Sequence, residues 1–206
     1  MPEAGDRPPL ILGSGSPYRR RMLEAAGLSF RVVAADVDEA ALKRSLARQT
    51  PRPSPAAVAE ALARAKATAV SAAHPEALVI GADQVLALDD ELFDKPGDLS
   101  AARQQLERLR GKTHRLVSTV ALAERGEIVW THLAEAVITV RAFSAEFLER
   151  YIAQAGPELC RIVGAYEIEG PGIQLFERVE GDHFTIIGLP LLPLLAELRA
   201  RGAIAA

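Results

Sequence analysis

The stretch from Leu10 to Arg21 constrains this chain more than any other, because an apolar triplet runs through small residues straight into a helix start. Leu10, Ile11 and Leu12 read as a short buried strand. Gly13, Ser14, Gly15 and Ser16 follow, and residues this small let a ligand approach the main chain. Ser16 stands where an N-cap belongs and Pro17 at the first helical position. Met22, Leu23 and Ala26 give the helix an apolar face, and Gly27 is placed to end it. A strand that turns through Gly and Ser into a helix N-terminus offers free backbone N–H groups to an anion. Arg19, Arg20 and Arg21 oppose the helix dipole in that first turn. They suit either a phosphate chain lying there or a solvated basic turn. The stretch is neither a Walker loop nor a dinucleotide fingerprint, since Gly-Lys-Ser/Thr and Gly-x-Gly-x-x-Gly are both missing from it.

The 206 residues suffice for one large domain or two small lobes with a real core. We expect a single domain over 1–206, with 1–9 as a loose tail. A net charge of −3 disfavours a general nucleic-acid coat and leaves a local nucleotide pocket open. A single cysteine, Cys160, excludes an internal disulfide and a thiolate metal cluster, and reads as a buried small residue. The most apolar run, Ile186 to Leu195, is too short to span a bilayer and contains Pro190 and Pro193. No secretory pattern is seen at the start. The expectation is a soluble, cytoplasmic protein.

Further along, Phe30 to Ala35 alternates like a strand and ends in Asp36-Val-Asp-Glu39. Three carboxylates this close repel one another, which either a divalent cation or a solvated acidic turn relieves. Arg44 to Pro53 reads as a loop. Ser54-Pro55 opens a long Ala-rich helix to about Ala73, with Val58, Leu62, Ala65 and Ala69 on one face. Lys66 is the lone lysine of that helix, and composition alone makes it an exposed one. Leu78 to Asp83 is a buried-strand run, with Asp83 at its C-terminal end, a position suited to catalysis or to capping a turn. Val85 to Phe93 reads as a hairpin leading to Asp94-Lys95-Pro96, where Lys95 is either aimed by its turn or a surface lysine.

Leu99 to Arg110 is predicted helical with Ser100 as cap and Gly111 as stop. His114 to Ala123 and Glu127 to Val140 form a hairpin about Arg125-Gly126. His114 and His132 lack neighbours at metal spacing and read as structural or exposed. Ser144 caps a helix carrying Phe147, Leu148 and Tyr151. Val163 to Gly172, with its glycines, one aromatic and two acids, has the composition of a binding loop or of a plain turn. Ile173 to Val179 and His183 to Ile187 are expected to pair as a last hairpin. Gly188-Leu-Pro190 leads into a terminal helix with Leu191, Leu194, Leu195 and Leu198 inward.

Read together, these motifs resemble the Maf family of nucleotide pyrophosphatases. Ser-x-Ser-Pro-x-Arg-Arg at Ser14 to Arg20, Val-Asp-Glu at Val37 to Glu39 and Gly-Ala-Asp at Gly81 to Asp83 come first. Lys95-Pro96, Gly-Lys-Thr-His at Gly111 to His114, Gly-x-Tyr-x-x-x-Gly from Gly164, Glu180-Gly-Asp182 and Gly188-Leu-Pro190 follow in order. Each is weak alone and their joint order is specific. The resemblance implies a mixed α/β fold similar to the inosine triphosphate pyrophosphatases, with two lobes around a deep central cleft. It implies hydrolysis of a nucleoside triphosphate between the α and β phosphates, with Mg²⁺ or Mn²⁺ as a divalent metal. Asp83 corresponds to the proton acceptor, with Glu39 as the second group on the metal. Ser14, Ser16, Arg19, Arg20, Lys66 and Lys95 would hold the triphosphate. A homodimer is a further family-level expectation, and a nucleotide-binding regulator of septum formation that hydrolyses slowly or not at all is the alternative to the enzyme; no membrane or nucleic-acid polymer is expected as a partner.

Family members similar to 7-methyl-GTP pyrophosphatases carry an aromatic after the Ser-Pro, Gln after the catalytic Asp and Glu in the late glycine loop. This sequence has Tyr18, Gln84 and Glu169 there. A methylated guanine is cationic, so an aromatic face attracts it, and a carboxylate accepts two charge-assisted hydrogen bonds from its N1–H and N2–H. Ala82 and Gly164-Ala-Tyr166 look more like the dTTP/UTP type, which keeps that substrate class, or a broad one, as the alternative.

Overall fold

The structure, a computed structural model, describes residues 7–205. Residues 1–6 of the expected tail lie outside the described residues, and the Pro9 carbonyl accepts a hydrogen bond from Leu78 N–H (3.0 Å). The fold is mixed α/β. Its elements run β1 (Leu10–Leu12), α1 (Pro17–Ala25), β2 (Arg31–Val32), α2 (Glu39–Ala47), α3 (Pro55–Ala73), β3 (Leu78–Leu88), β4 (Glu91–Phe93) and α4 (Leu99–Leu109). Then come β5 (Thr113–Glu124), β6 (Glu127–Val140), α5 (Ala145–Ala155), three short 3-10 turns between Gly156 and Leu175, β7 (Phe176–Glu180), α6 (His183–Ile187) and α7 (Leu191–Ala200). Among the described residues, seven strands make one mixed sheet in the order β2-β1-β3-β5-β6-β7, with β4 on β3. No helix among the described residues is long and apolar enough to cross a membrane.

The chain forms two compact units. Among the described residues, one takes in those up to Gln84, Ser118–Ala134 and those from Ile187 onward, and the other Val85–Val117 and Glu135–Ile186. In the first, β1 lies parallel to β2 and to β3, with Leu10, Ile11 and Leu12 opposite Leu78, Val79 and Ile80. All six of those β1 and β3 residues are buried, which is why both runs are apolar without alternation. α3 packs on β3 through small residues. A Cβ at Gly81 would lie 2.5 Å from Ala63 O and 2.6 Å from Ala67 N, so only glycine permits this approach.

In the second unit, β3 continues into a hairpin with β4, pairing Leu86 with Phe93 and Leu88 with Glu91. Its core gathers Leu86, Leu106, Leu109, Leu116, Ile138, Tyr151, Tyr166 and Ile186. Each fully buried aliphatic side chain there contributes about 1.5–3 kcal/mol of transfer free energy.

Several expectations are corrected. The strand expected over Phe30 to Ala35 shortens to two exposed residues. The loop expected from Arg44 begins at Arg48, because Asp38 caps α2 by accepting from Ala41 N–H (2.8 Å) and the helix carries through Ala47. The buried face of α3 is Val58, Ala59, Leu62, Ala63, Lys66, Ala67 and Val70, while Ala69 is exposed. In an Ala-rich helix the contact with Gly81, not hydropathy, decides which alanines face inward. Asp83 lies within β3, not at its end, because pairing with β4 extends the strand. The cap of α4 is Asp98, two residues before the expected Ser100, which lies inside the helix. The last hairpin is absent: Asp182 accepts from Thr185 N–H (2.8 Å) and turns the chain after β7 into α6. Cys160 is half-buried. Leu191, Leu194 and Leu198 of α7 are buried and Leu195 partly so.

Candidate active site

The first unit brings six of the sequence-assigned residues into two linked clusters. At the first, Lys66 of α3 places its Nζ 2.6 Å from Asp83 Oδ1 and 2.8 Å from Glu39 Oε1. Lys66 lies one turn from Leu62 and one from Val70 on the helix's buried stripe, so its ammonium is carried inward. It is 9 % exposed, and Asp83 7 %, whereas the Glu39 side chain is half open to solvent. An isolated buried charge is costly. Here one cation lies between two carboxylates, which offsets that cost and fixes Asp83. The lysine that composition makes a surface residue is therefore part of a buried ion network.

At the second cluster, Arg19 of α1 is buried. Its Nε donates to Gly188 O (2.8 Å), and its Nη1 to Ala82 O (3.0 Å) and Ser14 Oγ (3.1 Å). This guanidinium ties the loop after β1, the strand residue next to Asp83 and the segment before α7. Burial lowers its pKa from the ordinary value, and the nearby Asp83 and Glu39 charges act in the opposite direction. Ser14 Oγ also accepts from Ser16 N–H (3.3 Å), and Ser16 Oγ caps α1 through Arg19 N–H (3.4 Å). The Gly-Ser turn is thus built as the sequence implies, with its hydroxyls already engaged in shaping it.

Arg20 is exposed and pairs with Glu24 (2.7 Å). Tyr18 is half-buried, and the Arg21 guanidinium carbon lies 4.8 Å from its ring centroid. That ring face already accepts a cation. Gln84 donates from Nε2 to Ser118 Oγ (2.9 Å). In the second unit Lys95 is exposed after β4, in a turn pinned by Gln105 Nε2 donating to Asp94 O (2.7 Å). Glu169 is exposed, with its Oε1 3.2 Å from His183 Nε2.

Beneath the loop carrying Glu169 lies a buried pair that the motif reading left open. His114 Nε2 is 2.7 Å from Tyr166 Oη, and both residues are buried. Burial lowers the His114 pKa from 6.5 to about 4 and pushes the Tyr166 phenol upward. Tyr166 packs edge-on against Phe176, and Tyr151 Oη donates to Ala165 O (3.1 Å). Gly164 adopts φ +81°, and a Cβ there would lie 2.6 Å from Leu86 Cδ1 and 2.7 Å from the Tyr166 ring. The motif glycine is needed both for its backbone angle and for space. His114 is therefore structural. His183, Ser118 and Gly188 O had no signal in the sequence, since a lone His after a turn, a strand serine and a main-chain carbonyl follow no chemical spacing rule.

No group of three or more His, Cys, Asp or Glu side chains among the described residues forms a ready metal cage. The donor set fits a hard divalent cation of the Mg²⁺ type, which takes one or two carboxylates and completes its shell with substrate phosphate oxygens. Glu39 and Asp83 are such a pair, already bridged by one cationic group.

A family model described as Maf-like protein matches residues 9–201, so the chain belongs to the Maf family. It is similar to a 7-methyl-GTP pyrophosphatase of Rhizobium johnstonii, at 51 % identity over 96 % of this chain and 98 % of the relative. A 7-methyl-GTP pyrophosphatase of Mesorhizobium japonicum is 53 % identical over 95 % of this chain and 97 % of its own length. A nucleoside triphosphate pyrophosphatase of Paramagnetospirillum magneticum is 54 % identical over 93 % of this chain and 98 % of its own length.

Proposed function

We propose that this protein hydrolyses a nucleoside triphosphate to the monophosphate and pyrophosphate, with 7-methyl-GTP as the preferred substrate. The observation that carries the hydrolytic reading is the buried Asp83 carboxylate, held at 2.6 Å by Lys66 with Glu39 on the other side. A carboxylate fixed in this way can take a proton from water as its oxygen attacks the α phosphorus. The bond from that phosphorus to the bridging oxygen breaks, and pyrophosphate leaves with the electron pair. Arg19, Lys66, Lys95 and Arg20 supply positive charge to the triphosphate, and the Ser14 to Ser16 turn supplies donors at the start of α1. Glu39 and Asp83 would hold a Mg²⁺ or Mn²⁺ ion, which when bound supplies charge neutralisation to the phosphates.

For the base, support comes from the names carried by the two relatives first described and from the chemistry of Tyr18 and Glu169. Tyr18 already takes a cation on its ring face, and Glu169 supplies a carboxylate for N1–H and N2–H. A broad nucleoside triphosphate pyrophosphatase is the second reading, favoured by the 54 % identity to the relative of that name.

The test is pyrophosphate release with Mg²⁺ or Mn²⁺ across 7-methyl-GTP, GTP, dTTP, UTP and ITP. The expected result is highest kcat/KM on 7-methyl-GTP; equal rates on all five would favour the second reading, and no release on any would overturn the enzyme. Glu169→Gln is expected to lower kcat/KM for 7-methyl-GTP by about tenfold or more, as loss of a charged hydrogen-bond partner does, and to leave UTP nearly unchanged.

A further inference from the structure

We propose that His183 is a positioning residue for base selection: its imidazole fixes the Glu169 carboxylate and so sharpens the preference for methylated guanine over pyrimidine bases. This inference rests on the assignment of Glu169 to the base.

The two residues differ in how firmly their backbones are held, while both side chains are about half exposed. Glu169 stands on the glycine-bearing loop, and its side chain is 49 % exposed, so little packing restrains its rotamers. Its Oε1 meets His183 Nε2 at 3.2 Å. A carboxylate only accepts, so Nε2 carries the proton and donates. His183, in contrast, opens α6 on an anchored turn. Asp182 Oδ2 accepts from both Thr185 N–H (2.8 Å) and Thr185 Oγ1 (2.9 Å), and Asp182 O accepts from Ile186 N–H (3.1 Å). Thr185 and Ile186 are buried. The imidazole takes no part in those cap bonds. It is therefore presented by a capped backbone to a carboxylate carried on an exposed loop position.

That arrangement does two things for base reading. A carboxylate has about four lone-pair sites, so one bond from His183 leaves enough for two guanine N–H groups. Fixing the side chain beforehand removes an ordering cost from binding, which corresponds to roughly a three- to tenfold gain in affinity. Uracil lacks the N1–H and N2–H pair that Glu169 would receive, so this gain does not extend to UTP.

The experiment measures kcat and KM on 7-methyl-GTP and UTP for wild type, His183→Phe, His183→Gln, Glu169→Gln and the double variant. His183→Phe keeps a ring and loses the donor, and Tm within about 3 °C of wild type reports that the cap is intact. The expected result is a rise of about three- to tenfold in KM for 7-methyl-GTP with kcat unchanged, and less than twofold for UTP. His183→Gln, which restores an N–H donor, should recover most of that loss. His183→Phe should add nothing on 7-methyl-GTP once Glu169 is Gln, because the coupling runs through that carboxylate. Equal KM rises on both substrates, or losses that add in the double variant, overturn the inference. If Glu169→Gln removes the preference and His183→Phe does not, only the role of His183 falls. If Glu169→Gln leaves the preference intact, or wild type has none, the assignment of Glu169 falls and the inference with it.

Discussion

Asp83 and Glu169 are both carboxylates held by one basic side chain, and their settings are opposite. Asp83 sits on a strand buried on both faces, and its lysine comes from a helix packed so closely that Gly81 has no room for a Cβ. Glu169 sits on a loop, half in solvent, facing a histidine from a short helix. The contrast separates two demands. The proton acceptor proposed at Asp83 works at one fixed place, and the fold encloses that carboxylate and balances its charge. The base-selecting role proposed for Glu169 needs only correct aim, so an open loop suffices and can be altered without disturbing the core.

The largest effect expected from breaking this contrast is at Asp83. Asp83→Asn removes the proposed proton acceptor and should lower kcat by about 10²–10⁴-fold. Because Lys66 keeps Glu39 as a partner, nucleotide binding should survive, which equilibrium titration with substrate in place of turnover would read. Loss of binding together with rate would mean that Asp83 holds the site's shape more than it moves a proton.

Next is the packing that supports it. Gly81→Ala would drive a methyl against the α3 backbone at Ala63 and Ala67. Backbone has nowhere to yield, so the cost is at the upper end for overpacking, about 3 kcal/mol, read as a lower urea midpoint at unchanged slope. A shift below about 1 kcal/mol would show that α3 slides freely and that Lys66 is less rigidly aimed than its burial implies.

On the other side of the comparison, the loop carrying Glu169 is braced by His114 and Tyr166. The folded state holds His114 neutral, with a pKa lowered to about 4, while the unfolded chain titrates near 6.5. Between those values the unfolded state binds more protons, so stability is fully present above pH 6.5 and falls as pH drops toward 4. From pH 7 to pH 5 the loss is about 2 kcal/mol. Denaturant melts at the two pH values measure it, and His114→Gln, which does not titrate, should flatten the difference. An unchanged slope in that variant would assign the acid sensitivity to other groups.

Much of this architecture is legible in the residues. Ser16-Pro17 and Ser54-Pro55 place two helix starts, and the apolar runs at Leu10 and Leu78 place the paired strands, because capping and continuous burial act locally. Motif order reaches the residues now seen around Asp83. What stays hidden is decided at long range. Lys66 faces inward on the stripe of Val58, Leu62 and Val70, where Gly81 lets α3 descend on β3, and its charge conceals that place in the sequence. The turn after β7 becomes a helix because Asp182 captures Thr185, which strand-like composition at Phe184 to Ile187 conceals. His183 meets Glu169 across a separation of fourteen residues with no periodicity to announce it.

Arg20 gives the smallest expected effect and the finest test of the contrast. It neighbours Arg19 in sequence, yet Arg19 is buried among carbonyls while Arg20 lies exposed against Glu24, one turn on. An exposed i, i+4 pair contributes about 0.3–0.5 kcal/mol, so Arg20→Ala should leave Tm almost unchanged. Toward a triphosphate, an exposed arginine acts through solvent and salt screens it. KM should therefore rise by no more than about threefold at low ionic strength, and the rise should fade at high salt. A loss of kcat beyond about tenfold, insensitive to salt, would mean that Arg20 leaves Glu24 to hold the leaving pyrophosphate in the transition state. It would then belong with the enclosed groups around Asp83, and the division between a fixed catalytic cluster and an adaptable periphery would have to be drawn one residue further along α1.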